Sequence, residues 1–324
     1  MEAKNILVTG IGGNVGQGIL RNLRVSGYSL RLVGSNVSKT SAGNHLCDKI
    51  YELPYARDEA YIPAVQELCD TEDIHLIIPS TDYESLCLTR HRDKLPEVAA
   101  CPYETVLTFT DKLETYRYLS HRDIPFAECC PPSEYQGQFE SFIVKPREGR
   151  GSRNLHFNPA RWDGFPDEEY TVQKLHLGKE ITTAFYVDLT GNLVGHISLL
   201  RTLVNGATVF CRVTHACDRE IERIIREMMA ALEIRGACNI QYILDEQGQL
   251  HPFEINCRIS GTNSVRANFG FNDTVWTIEE RLYGKSIDKP EIRSGAAYRI
   301  LMDVIFPDDP SLDEVNDQSN FYLY

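Results

Sequence analysis

The first forty residues limit the fold more than any other part of the chain. An apolar stretch, Asn5 to Thr9, runs into the glycine turn Gly10-Ile11-Gly12-Gly13-Asn14-Val15-Gly16. A helical pattern from Gln17 to Val25 follows, and then a second apolar stretch, Leu30 to Gly34. Two strands joined through a helix pair in parallel, because the crossover returns the chain to the same end of the sheet. A third buried strand, His75 to Pro79, ends in the polar turn Ser80-Thr81-Asp82, so the chain begins as a parallel βαβ lobe.

Near Cys101-Pro102 the pattern changes. A helix is expected to open with Thr110 as N-cap, carry Leu113, Tyr116, Tyr118 and Leu119 on its apolar face, and stop before Ile124-Pro125. Strands are expected at Ser141 to Lys145 and Tyr170 to Leu175, then at Glu180 to Leu189, Leu193 to Leu200 and Thr208 to Thr214. A helix from Arg219 to Leu232 precedes Asn239 to Leu244 and Leu250 to Asn256, a hairpin around Asp245-Glu246-Gln247-Gly248. This divides the chain into residues 1–105, 106–175 and 176–324, with an acidic tail after Pro307 expected to pack poorly.

With 33 Lys and Arg against 46 Asp and Glu, the net charge of -13 repels a nucleic-acid backbone, so that partner is excluded. The apolar runs are strand-sized and the N-terminus carries no leader-like segment, which leaves no membrane role and suggests the cytoplasm. The ten cysteines include no CxxC pair and are expected to be free thiols.

An anionic ligand therefore needs a local cationic cluster. One follows the strand Phe142-Ile143-Val144-Lys145-Pro146: the loop Arg147-Glu148-Gly149-Arg150-Gly151-Ser152-Arg153. Glycines free its backbone N–H groups to point at phosphate while lysine and arginine supply charge, although a solvated basic loop has the same composition. On the hairpin, Glu254 and Asn256 share one strand face. Pairing Leu244 with Gln249 or with His251 brings Gln241 to that same face. A carboxylate between amides suits Mg²⁺, a hard ion bound through oxygen, and a half-exposed polar face is the plainer alternative. The initial glycine turn lacks the acidic residue that a dinucleotide site wants after its second strand, where Ser35-Asn36 stand instead, so a structural or substrate-facing turn is favoured over nicotinamide binding.

In this order the pieces resemble the ATP-grasp superfamily, most closely the synthetase units of the carbamoyl-phosphate synthetase large subunit. The matching stretches are Val8 to Gly18, Asp111 to Tyr116, Ile143 to Arg153, Val172-Gln173 with Gly178-Lys179-Glu180, Asn239-Ile240-Gln241 and Phe253 to Arg258. The resemblance implies an α/β fold in which an N-terminal parallel lobe precedes two α+β lobes that clasp ATP. It also implies site roles. Lys112 and Lys145 would bind ATP phosphates, and Gly149, Arg150, Gly151, Ser152 and Arg153 would form the covering loop. Gln173, Lys174 and Leu175 would be the adenine hinge, and Glu180 the ribose acid. Gln241, Glu254 and Asn256 would hold Mg²⁺ or Mn²⁺. Arg258 would contact the transferred phosphoryl group. Apart from the resemblance, Arg201, at the end of a strand in the same lobe, is a candidate second donor, with a surface arginine as the plainer alternative.

The activity so implied is an ADP-forming ligase that activates a small carboxylate as an acyl phosphate and joins it to an amine. An amino acid is the default substrate. Phosphorylation of bicarbonate or carbamate stays open, as does a non-catalytic nucleotide-binding regulator. A homodimer is common in the superfamily.

Overall fold

The computed structural model describes residues 3–149, 153–160, 164–307 and 321–324. The expected tail after Pro307 lies largely outside them.

Strands β1 (Lys4–Val8), β2 (Leu30–Asn36), β3 (Lys49–Glu52), β4 (Leu76–Ile78) and β5 (Glu97–Val98) form a parallel sheet in the order β3-β2-β1-β4-β5. The crossovers include α1 (Asn14–Arg24), α2 (Tyr61–Thr71) and α3 (Asp82–Arg90). Strand order reverses around β1, so the loops leaving the carboxyl ends of β1 and β4 diverge and open a crevice there. Gly10 turns at φ +60°, and a Cβ on Gly16 would stand 2.8 Å from the Gly10 carbonyl oxygen, so only glycine lets α1 come this close to the turn.

Two short helices follow, α4 (Tyr103–Thr110) and α5 (Lys112–Ser120). Thr110 therefore ends a helix. The cap is Asp111, whose Oδ1 accepts the N–H of Leu113 at 2.9 Å and of Glu114 at 3.2 Å. A carboxylate at the positive end of the helix is favoured over a threonine hydroxyl on charge alone.

β6 (Cys129–Cys130), β7 (Phe142–Pro146), β8 (His156–Phe157) and β9 (Tyr170–Lys174) make a small antiparallel sheet in the order β6-β9-β7-β8. A larger sheet contains β10 (Lys179–Val187), β11 (Leu193–Val204), β12 (Ala207–Val213), β13 (Gly236–Leu244), β14 (Leu250–Asn256) and, past α6 (Asp218–Ala231), α7 (Asn263–Arg266) and α8 (Asp273–Tyr283), β15 (Ala296–Tyr298). Its order is β14-β13-β10-β11-β12-β15. One hydrophobic core joins Ile6, Val8 and Leu76 of the parallel lobe to Tyr186, Ile197 and Leu199 of this sheet, and a second packs α6 and α4 against Phe185, Ile240 and Tyr242 of the same sheet. The α/β expectation thus holds, with the parallel sheet at the front of the chain and antiparallel sheets behind it. Among the described residues no helix is long and apolar enough to cross a membrane.

The hairpin register is neither of the two expected. Leu244 pairs with Leu250 and Tyr242 with Pro252; a bulge then pairs Gln241 with Glu254 and Asn239 with Asn256. Proline has no N–H for the ladder, and the extra residue, Phe253, is accommodated beside it. Gln241 still lands opposite Glu254, and His251 joins the same face.

Candidate nucleotide and acceptor site

A cleft of about 960 Å³, counting its open mouth, lies between the small sheet and the β13–β14 hairpin. Lys112, Lys145, Gly149, Arg153, Gln173, Lys174, Leu175, Glu180, Gln241 and Glu254 all border it. Arg150, Gly151 and Ser152 fall outside the described residues.

Each cation is placed by backbone geometry. Lys112 opens α5, and Arg147 locks that helix start to the end of β7: its guanidinium pairs with Asp111 at 2.6 Å, and its carbonyl accepts the Lys112 N–H at 3.0 Å and Nζ at 3.3 Å. Lys145 is 5% exposed on β7, with Nζ 3.4 Å from the Phe253 carbonyl oxygen and 5.5 Å from the centre of the Phe253 ring. Burial, followed by the charge of Lys112, pushes the Lys145 ammonium down to about 8. The repulsion between the two ammonium groups favours an anion that would bridge and neutralise them.

Glu254 faces both. Burial alone would raise its carboxyl, but the charges of Lys112 and Lys145 and the hydrogen bond from Asn256 outweigh it and hold the group below the usual carboxylate range. Gln241 Nε2 and Asn256 Nδ2 each donate to Glu254 Oε1 at 3.2 Å. Their carbonyl oxygens accept from arginines: Gln241 Oε1 from Arg201 at 2.8 Å and Asn256 Oδ1 from Arg258 at 3.0 Å. A divalent ion fits this donor set, since rotation of either amide turns an oxygen beside the carboxylate, giving the hard oxygen ligands that Mg²⁺ takes.

Other expected residues are engaged differently. Glu180 is ion-paired with Arg201, so these two are one unit that also grips Gln241. Gln173 is 2% exposed and donates to Cys129 Sγ and the Phe253 carbonyl, both at 3.3 Å, so it supports the cleft floor. The backbone N–H groups of Lys174 and Leu175 bond Glu128 and Ser141 carbonyls at 2.8 and 2.9 Å, and the Lys174 ammonium pairs outward with Glu128 at 2.7 Å. What this hinge presents inward is therefore not an N–H of either residue.

The structure adds walls that the sequence reading left out. Ile143, Leu155, Phe157, Leu203, Ile243 and Phe253 supply apolar surface for a planar ring. Ile143 and Ile243 could have been found by period-two spacing from Lys145 and Gln241. His176 and His251 stack with ring centres 3.7 Å apart, and His251 meets Asp245 at 2.7 Å. Burial and the adjacent His251 lower His176 to about 4, so it is neutral near pH 7.

A second cleft continues past Glu254 and Asn256 toward the parallel lobe. Arg153, Arg201 and Arg258 border it, as do Gly10, Gly13 and Asn14 of the first glycine turn, Ser80 and Thr81. The glycine turn thus faces the hairpin. Arg258 lies beyond the end of β14 and is held by Asp82, at the start of α3, at 2.7 Å.

A family model described as an ATP-grasp domain matches residues 109–262, and one described as a PylC-like N-terminal domain matches residues 6–100. No curated protein matches in sequence. The fold is similar to N5-carboxyaminoimidazole synthetase from Staphylococcus aureus complexed with ADP, at TM-score 0.76 and 14% identity, over 93% of this chain and 83% of that one. It is also similar to the biotin carboxylase domain of Hydrogenobacter thermophilus 2-oxoglutarate carboxylase, in complex with MgADP and bicarbonate, at TM-score 0.72 and 13% identity over 91% and 74% of the chains. The chain thus carries an ATP-grasp domain, with a PylC-like N-terminal domain ahead of it.

Proposed function

We propose that the protein is an ADP-forming carboxylate–amine ligase, with ATP between the small sheet and the hairpin and its acceptor in the second cleft. The observation that carries this reading is the meeting of Lys112 and Lys145 with Glu254, Gln241 and Asn256 at the junction of two connected clefts. The three lobes would be residues 1–105, 106–175 and 176–324, the first closing the acceptor side.

Lys112 and Lys145 would bind the phosphates, the apolar walls the adenine, and Glu180 the ribose edge. Mg²⁺ or Mn²⁺ at Glu254, Gln241 and Asn256 would supply charge neutralisation at the nucleotide phosphates. The acid's carboxylate oxygen attacks the γ-phosphorus, the bond to the β-phosphate oxygen breaks and ADP leaves. An amine then attacks the acyl carbon, phosphate departs and the amine loses a proton. Positioned cations carry most of the catalysis in such transfers. Arg201 and Arg258 face developing negative charge from the acceptor side, and Arg153, bordering both clefts, would help exclude water from the acyl phosphate.

Three arginines around a polar cleft fit a small anionic acid such as an amino acid. The test is a screen of amino acids and other carboxylic acids, with and without bicarbonate, for release of ADP and phosphate. Formation of AMP and diphosphate would overturn the acyl-phosphate route. Turnover that needs bicarbonate and no other acid would replace it by bicarbonate activation.

A further inference from the structure

Three cysteines far apart in sequence meet beneath the hairpin. Cys101 follows β5 at the end of the parallel lobe, Cys238 lies on β13, and Cys257 comes directly after β14. Their sulfurs all lie within 4.8 Å of one another, and Cys101 Sγ is 3.5 Å from Cys238 Sγ. The residues are 0%, 1% and 4% exposed.

We propose that Cys101, Cys238 and Cys257 form a three-sulfur site for a soft, thiophilic d¹⁰ cation such as Cu(I) or Zn²⁺. Three thiolates at about 2.3 Å from a common centre stand about 4 Å apart, inside the spread seen here. No histidine or carboxylate joins the cluster among the described residues, and the Arg235 carbonyl oxygen, 3.2 Å from Cys101 Sγ, is a single oxygen, which disfavours Mg²⁺ and Ca²⁺ and favours an ion content with three sulfurs.

The surroundings are suited to an anionic cluster. Three thiols lose three protons on binding a metal, leaving net negative charge in an apolar core. The Arg92 guanidinium donates to the carbonyls of Val98, Ala100 and Cys101 at 3.3, 2.9 and 3.3 Å, which sets a fixed positive charge beside the segment that carries Cys101. Its Nε, and that of Arg281, are buried without a hydrogen-bond acceptor among the described residues. Arg281 is already ion-paired with Glu97, so Arg92 is the guanidinium whose charge a metal-thiolate cluster would offset. The bound ion would tie the parallel lobe to two strands of the large sheet, one residue away from Asn239 and Asn256.

Because the sulfurs are buried, loading belongs to folding. The full chain would be produced under reducing conditions in media supplemented with Zn²⁺, Cd²⁺ or copper, and its retained metal measured after gel filtration. One equivalent is expected, lost in each of C101S, C238S and C257S and kept in C69S, with thiolate-to-cadmium charge-transfer absorption in the ultraviolet. X-ray absorption on the loaded wild type should count three sulfurs, which decides the matter even if a serine variant fails to fold. Wild type that retains no metal, a shell of nitrogen or oxygen, metal retained by the serine variants, or a Cys101–Cys238 disulfide in the purified protein would each overturn the proposal.

Discussion

Replacing Lys145 by methionine should make the protein more stable without nucleotide and unable to respond to it. Folding moves this ammonium from 10.5 to about 8, a gap worth about 3 kcal/mol at about 1.36 kcal/mol per unit. The sign follows from proton counting. Between pH 8 and 10.5 the unfolded chain keeps a proton that the folded one has released, so stability rises with pH through that window; below about pH 8 the full penalty applies. Methionine removes the charge and keeps an unbranched apolar chain one atom shorter. Glu254 loses an attractive neighbour in return, so the net gain at pH 7 is expected at about 1–2 kcal/mol. Urea unfolding of wild type and K145M at pH 7 and pH 10 measures this, and the advantage of K145M should shrink at pH 10. Mg-ATP at a hundred times its dissociation constant should stabilise wild type by about 2.7 kcal/mol and leave K145M nearly unmoved. A K145M protein less stable than wild type at pH 7, or an advantage that does not change with pH, refutes the reasoning.

Glu254→Gln keeps the size of the side chain and its hydrogen bonds but removes the charge that faces both lysines; ADP release should fall by about 10²–10³-fold while circular dichroism is unchanged, and near wild-type turnover would refute the placement of the site. Arg266 and Asp273 are 0% exposed and ion-paired at 2.5 Å, with Arg266 also bonded to Ser260 and Thr262. Arg266→Met strands a buried carboxylate and should cost about 3–5 kcal/mol in urea unfolding, most of it recovered when Asp273→Leu is added; a loss under about 1 kcal/mol counts against this account.

Elements whose burial follows a simple period were legible in the sequence. The β1–α1–β2 unit and the strands carrying Lys145 and Glu254 were each found within a few residues, because apolar runs of strand length mark them. Lys112 was identified by resemblance, while its cap was misassigned to Thr110, since the competing Asp111 is selected partly by its contact with Arg147, 36 residues away. The ion pair between Glu180 and Arg201 depends on the pairing of β10 with β11 and has no local signature. His251 was missed for a related reason: only the bulge brings it to the face of Glu254, and alternation across a regular strand assigns these two residues to opposite sides. The cysteine cluster needs the parallel lobe, β13 and the end of β14 at once, so spacing between cysteines carries no trace of it.

Phe253 is the extra residue of that bulge, and its carbonyl receives both the Lys145 ammonium and the Gln173 amide. The two sheets that would enclose the nucleotide are therefore aligned on a main-chain oxygen. Substitution at position 253 can alter the ring against Lys145, but it leaves this oxygen in place. Deletion of residue 253 would leave Glu254 opposite Gln241 in a regular ladder but would remove this oxygen. This part of the site should accordingly tolerate drift in residue identity at position 253 far better than a change in hairpin length.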